Sequence, residues 1–121
     1  MTLKLIVIKT KDIDKLMQFY QLIGLTFDKH QHGKGAIHYA TIIKEIVFEI
    51  YPLPISEIKA DNTLRLGFEV INLKELITEL ELKNVKIINY PKQTEFGFMA
   101  IVEDYDGRRI ELYHGLQSVN V

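Results

Sequence analysis

The sequence contains no cysteine and no tryptophan, only three prolines, and no apolar run longer than a few residues. Without cysteine there are no disulfides, no thiolate catalysis and no thiolate-ligated zinc. A membrane-spanning helix takes about 20 consecutive apolar residues, far more than any run here. An excess of one charge sign is also missing: 15 basic and 16 acidic residues leave a net charge of −1. The basic side chains are scattered among acidic ones, so the clustered positive footprint that nucleic acid requires is not expected. No glycine-rich phosphate loop, Gly-x-Ser-x-Gly elbow or His-Glu-x-x-His segment occurs. The N-terminus alternates like a strand rather than reading as a signal peptide, and the expected location is cytoplasmic.

What is present suits one globular domain. The chain has 121 residues, 47% of them hydrophobic and 26% charged, enough to bury a core without staples. Met1 to Lys9 reads as a strand with Leu3, Leu5 and Val7 on one face and Ile6 and Ile8 on the other. Both faces are apolar, so cover is expected on both. Asp12 reads as the N-cap of a helix whose stripe is Ile13, Leu16, Met17, Phe19, Tyr20 and Ile23, stopped at Gly24. Strands follow over Leu25–His32, Ile37–Ile43 and Ile46–Tyr51, with a glycine turn at 33–35 and a tight turn at Lys44-Glu45. The stretch from Pro52 to Asn62 has two prolines and mixed polarity, with a short helical turn expected around Ile55–Ile58.

The pattern then starts again. Leu64–Val70 reads as a strand, Asn72 as a cap, Leu73, Leu76, Ile77 and Leu80 as a helical stripe, and Asn84 as the stop. Val85–Tyr90 reads as a strand, Pro91–Glu95 as a loop and Phe96–Glu103 as a strand. Asp106-Gly107 marks a hairpin turn, and Arg109–His114 is the last strand. The tail after Gly115 is expected to be weakly ordered. The halves match at an offset of 60 through the first strand and helix, pairing Asp12 with Asn72 and Gly24 with Asn84. The offset reaches 62 at the last strand, pairing Glu49 with Glu111. A repeat of this length predicts a duplicated unit. The expectation is an α+β fold of two tandem βαβββ units forming curved mixed sheets around a cavity. It places repeat halves at 1–53 and 63–114, with a linker over 54–62, in a single domain.

Two segments carry a family resemblance. Phe19-Tyr20 followed by Ile23-Gly24-Leu25 resembles the element closing the first helix in glyoxalase-like proteins. Glu103-Asp104-Tyr105-Asp106-Gly107-Arg108-Arg109-Ile110-Glu111-Leu112 resembles their terminal Asp-Pro-Asp-Gly…Glu-Leu hairpin, with Tyr105 in place of proline. The chain is thereby identified as similar to the glyoxalase/bleomycin resistance protein/dioxygenase superfamily, the vicinal oxygen chelate fold, over nearly its whole length. The resemblance implies a metal position built from a first-strand residue and a last-strand glutamate in each half. These positions are Leu5, Glu49, Arg65 and Glu111 here. The two glutamates match. Leucine cannot ligate a metal, and arginine is a permanent cation. No conventional metal site and no cofactor are therefore expected.

The favoured reading is a small-molecule-binding protein resembling the bleomycin-resistance branch. Its pocket is expected to draw on Glu49, Arg65, Glu111, His38 and Tyr113, with no residue assigned a catalytic role. Arg65 is expected to replace the metal's charge and hold both glutamates, or to act as a fork for a ligand carboxylate or phosphate. The alternatives are a glyoxalase-type metal-dependent lyase or isomerase using Glu49 and Glu111, with His38 substituting for a missing ligand, and a dimerising or regulatory module without ligand. A small organic molecule and a second copy of the chain are the expected partners, the homodimer following from apolar Leu5 and Val7. His30 and His32 alternate at a strand end, and a metal site there needs at least one further ligand. His114 is read as pocket rim at most. Tyr39, Phe48, Tyr51, Phe96, Phe98 and Tyr113 divide between core and an aromatic-lined crevice in a way the sequence leaves open.

Overall fold

The structure, a computed structural model, describes residues 1–115; the tail after Gly115 lies outside them. The elements run β1 (Leu5–Thr10), α1 (Ile13–Leu22), β2 (Asp28–His30), β3 (His38–Ile43), β4 (Ile46–Pro52), β5 (Leu66–Val70), α2 (Leu73–Leu82), β6 (Ile87–Thr94), β7 (Gly97–Glu103) and β8 (Arg109–His114). They form two compact units, divided between Asp61 and Asn62. Each is a helix with a four-stranded mixed sheet, ordered β1-β4-β3-β2 in the first and β5-β8-β7-β6 in the second. The first and last strand of each unit pair parallel, and the other neighbours pair antiparallel. Two βαβββ units, α+β in class, are therefore present.

The helices start and stop where their sequence signals stand. Asp12 is extended, and its carboxylate accepts the Lys15 backbone N–H at 3.1 Å. This satisfies one of the donors that a helix start leaves unpaired. Gly24, at φ 119°, donates to the Gln21 carbonyl, and Leu25 donates to that of Tyr20. These are the paired closing bonds of a left-handed helix stop. The second unit repeats them sixty residues on: Asn84, at φ 63°, donates to Glu81 and Val85 to Leu80. Leu16, Phe19, Tyr20 and Ile23 of the first unit are buried beside Ile8, Phe48 and Ile50; Leu73, Ile77 and Leu80 of the second are buried with Val102, Ile110 and Leu112.

Five expectations need correction. Strand β2 is only Asp28–His30, because Leu25–Phe27 leads out of the helix stop. No helical turn forms at Ile55–Ile58; Glu57 donates to the Pro54 carbonyl in a single turn instead. Pro91–Glu95 is not a loop, since β6 continues to Thr94. It is an edge strand with register shifts around Asn89, where proline's missing donor is tolerated. Asn72 stands at the start of α2 but adopts φ 54° and makes no side-chain cap bond. The Leu73 N–H instead meets His114 Nδ1 at 3.5 Å. Finally, α1 covers the face of its sheet that bears Tyr39 and Phe48, while Leu5 and Val7 on the other face remain 52% and 39% exposed.

The β7–β8 turn holds the most buried charge among the described residues. Arg108 is 1% exposed, and its Nη1 donates to Asp104 at 3.2 Å and to Asp106 at 2.7 Å. The Asp104 carboxylate also accepts the backbone N–H groups of Asp106 and Arg108. Burial disfavours the guanidinium's charge, but the bond to Asp106 and the field of Asp104 outweigh it and push its pKa above the usual arginine value.

Candidate functional site

Strand register decides which side chains share a face, because directly opposed residues point the same way. In the first unit Val7 lies opposite Glu49 on β4, and Glu49 lies opposite Ala40 on β3. In the second unit Gly67 lies opposite Glu111, and Glu111 lies opposite Ile101. The two glutamates are thus register equivalents. Alternation along the strands puts His38 and Tyr51 on the face of Glu49, and Tyr113 on the face of Glu111. In both units this is the face away from the helix.

The surroundings of the two glutamates differ. His38 is 1% exposed, and its ring nitrogens are both engaged. Nδ1 lies 3.1 Å from the Ala36 carbonyl, so hydrogen bonding assigns the proton to that nitrogen. Nε2 lies 3.2 Å from the Tyr51 hydroxyl and 3.4 Å from Glu49 Oε2. The neutral ring accepts from Tyr51; the protonated ring donates towards Glu49. The Tyr51 ring stacks on His38 at 4.0 Å between centroids and 9° between planes.

In the second unit Arg65 Nη2 donates to Glu111 Oε2 at 2.6 Å, with the arginine side chain 52% exposed. The Tyr113 hydroxyl donates to the other oxygen, Glu111 Oε1. That bond, helped by burial and the glutamate's charge, raises the Tyr113 pKa, against a smaller opposing effect of Arg65. Glu111 is a shared acceptor between a cation and a phenol. Gly67 lies beside it: a side chain there would approach the Tyr113 ring at 3.4 Å and Glu111 Cβ at 3.8 Å.

Of the residues singled out from sequence, His38 and Glu49 come together, as do Arg65, Glu111 and Tyr113. The basic neighbour of Glu49 within its unit is His38. The aromatic residues divide cleanly. Tyr39 donates to Asp14 at 2.5 Å and Phe48 packs edge-on against Tyr20, both on the helix side. Phe98 meets His114 there in the second unit, and Phe96 is an exposed turn residue. Tyr51 and Tyr113 alone stand with the polar groups. His114 lines a cleft of about 390 Å³ with Asn72, Leu73, Lys74, Glu75 and Phe98, on the helix side and away from Glu111. The Tyr51–His38 stack was missed in sequence; the signal for it was His38 two residues before Ala40, which pairs with Glu49.

The four positions that the resemblance assigns to a metal do not suit one. Leu5 has no donor atom, and Arg65 brings a fixed positive charge that already engages Glu111. Two carboxylates without imidazole make a poor site for zinc or nickel.

A family model described as Glyoxalase/Bleomycin resistance protein/Dioxygenase superfamily matches residues 2–112. No curated protein gives a significant match. Among solved structures, an antibiotic binding protein from a Streptomyces species, TnmS3, superposes with TM-score 0.73 at 20% identity, over 96% of this chain and 97% of its own. An integron cassette protein from Vibrio cholerae gives TM-score 0.67 at 23% identity, covering 93% of each chain. A fosfomycin resistance protein, FosX, from Listeria monocytogenes, complexed with Mn(II) and a dihydroxypropylphosphonic acid, gives 0.68 at 16% identity, over 95% of this chain and 93% of its own. With the duplicated βαβββ units and the match across both, the chain belongs to the glyoxalase/bleomycin resistance protein/dioxygenase superfamily.

Proposed function

We propose that this protein binds a small organic anion at Arg65, Glu111 and Tyr113, with no resident metal at the family's positions. The observation that carries the reading is the Arg65–Glu111 ion pair. It puts a permanent cation at the first-strand position, where an ordinary member needs a metal ligand. A guanidinium presents five N–H donors in a planar fork, suited to a carboxylate or phosphonate. One nitrogen is used on Glu111, and half the side chain is exposed. The Tyr113 phenol adds an aromatic edge. The superfamily match and the structural likeness to an antibiotic binding protein support a small molecule as the ligand class. A second copy of the chain fits the same reading, because Leu5 and Val7 of strand β1, which ends its own sheet, are exposed apolar side chains. A monomer by sedimentation at micromolar concentration would count against that assembly.

The test is calorimetric titration of chelator-treated protein with a panel of small carboxylates, phosphonates including fosfomycin, and bleomycin. A bound anion should lose at least about ten-fold in affinity in Arg65→Ala, the loss of one charge-assisted contact, and be indifferent to chelator. Binding that needs added metal, or that ignores Arg65, would sink the reading.

A further inference from the structure

We propose that His30, His32 and His38 form a binding site for a divalent transition-metal ion that shares only Glu49 with the family's metal positions. The site lies wholly within the first unit and stands independently of the anion reading above.

The placement follows from strand geometry. His30 ends β2, and His32 follows two residues on, so an extended backbone turns both side chains to one face. β2 pairs antiparallel with β3, and His30 lies directly opposite His38. Three imidazoles thus meet from two neighbouring chain segments. Their ring centroids are 6.1 Å (30–32), 5.9 Å (30–38) and 5.2 Å (32–38) apart. Tetrahedral coordination with metal–nitrogen bonds of about 2.0–2.1 Å puts imidazole centroids about 5 Å apart. The observed triangle is slightly wider than that.

His38 is the pre-set member. Its Nδ1 is tied to the Ala36 carbonyl, as ligating histidines are held by their other ring nitrogen, and its Nε2 becomes the donor once the ion displaces the Tyr51 hydroxyl 3.2 Å away. Glu49, 3.4 Å from that Nε2, supplies a negative charge beside the ion and a fourth ligand. The turn that follows is closed by Gly35 donating to the His32 carbonyl and by Gln31 donating to the Gly35 carbonyl. This fixes the backbone at His32. As the side chains stand, no three donors among the described residues converge on one point, and the rings lie stacked or tilted at 15–38°. Binding therefore requires His30 and His32 to turn about their χ angles. Both are exposed, and His38 need not move. An imidazole-rich set selects zinc, nickel or copper over magnesium or calcium.

The experiment is calorimetric titration of untagged, chelator-stripped full-length protein with Zn²⁺, Ni²⁺ and Mg²⁺. Wild type is compared with His30→Ala, His32→Ala and Glu111→Gln. His30 and His32 are exposed, so their variants keep the fold; circular dichroism checks this. One Zn²⁺ or Ni²⁺ per chain is expected, at least about ten-fold weaker in each histidine variant, unchanged in Glu111→Gln, with no Mg²⁺ binding. Cobalt(II) should give the visible bands of a tetrahedral site in wild type and lose them in His32→Ala. No zinc or nickel binding, or binding unaffected by both histidine substitutions, would overturn the proposal. Binding abolished by Glu111→Gln would place the ion at the family position and overturn it as well.

Discussion

The two units share their strand order and the register of their last-strand glutamates, and they differ in what each glutamate meets. Glu49 faces a buried histidine stacked under a tyrosine, whereas Glu111 faces a half-exposed arginine and accepts from a tyrosine. The backbone repeat therefore specifies where a carboxylate stands but not its chemistry. The hairpins before the last strands diverge in the same way. β3 and β4 are joined by Lys44-Glu45, with Lys44 at φ 55°, and close on the apolar pair Ile43 and Ile46. The corresponding pair in the second unit is Asp104 and Arg108, joined backbone to backbone and by a buried ion pair. The repeat offset grows between the helix and the last strand partly because this turn is one residue longer.

The hairpin contrast should give the largest effect. Arg108→Met removes the cationic partner of a buried ion pair and leaves the charge of Asp104, whose side chain is fully buried, facing the backbone N–H donors of Asp106 and Arg108 without that cation. A loss of about 3–5 kcal/mol in urea unfolding is expected. Glu45→Ala in the shorter turn should change stability by no more than about 0.5 kcal/mol. Comparable losses at the two turns would erase the distinction.

The helix starts give the next contrast. Asp12→Ala removes a cap bond and should cost about 1 kcal/mol. Asn72 makes no such bond and sits in the left-handed region, so Asn72→Gly should be close to neutral. Equal thermal shifts for the two variants would mean that the caps work alike after all.

The smallest effect concerns the glutamates themselves. Tyr113 is held protonated by Glu111, so its pKa lies above the usual tyrosine value of about 10. Its contribution to stability is complete below that value and is lost as pH rises through the raised one. The chain lacks tryptophan, so near-ultraviolet absorbance reports tyrosinate cleanly. In Glu111→Gln one tyrosine should ionise at lower pH, while Glu49→Gln should leave the alkaline titration unchanged. A titration indifferent to Glu111 would remove the claim that the two faces differ electrostatically.

Much of the fold was legible because it is written in local signals. Asp12, Gly24, Asn84 and Asp106-Gly107 act through bonds within a few residues of themselves, and the stripes at three- and four-residue spacing need only a helix to become faces. The continuation of β6 past Tyr90 escaped because a proline ordinarily ends a strand, and only the edge position allows Pro91 inside one. The candidate site was half legible. The register equivalence of Glu49 and Glu111 followed from the repeat, and Arg65 was expected as a partner of Glu111; the pairing of His38 with Glu49, made across a strand pair, was not.

The sequence by itself determined the duplicated unit, its helix ends and the unsuitability of Leu5 and Arg65 as metal ligands. These depend on backbone preferences and on the atoms each side chain contains, which no environment alters. Only the tertiary structure decided that Arg108 is buried, that Glu49 and Glu111 have different partners, and that His30 and His32 have His38 as a third imidazole beside them. Burial and pairing are properties of neighbours, and strand pairing brings together residues that the chain order keeps apart.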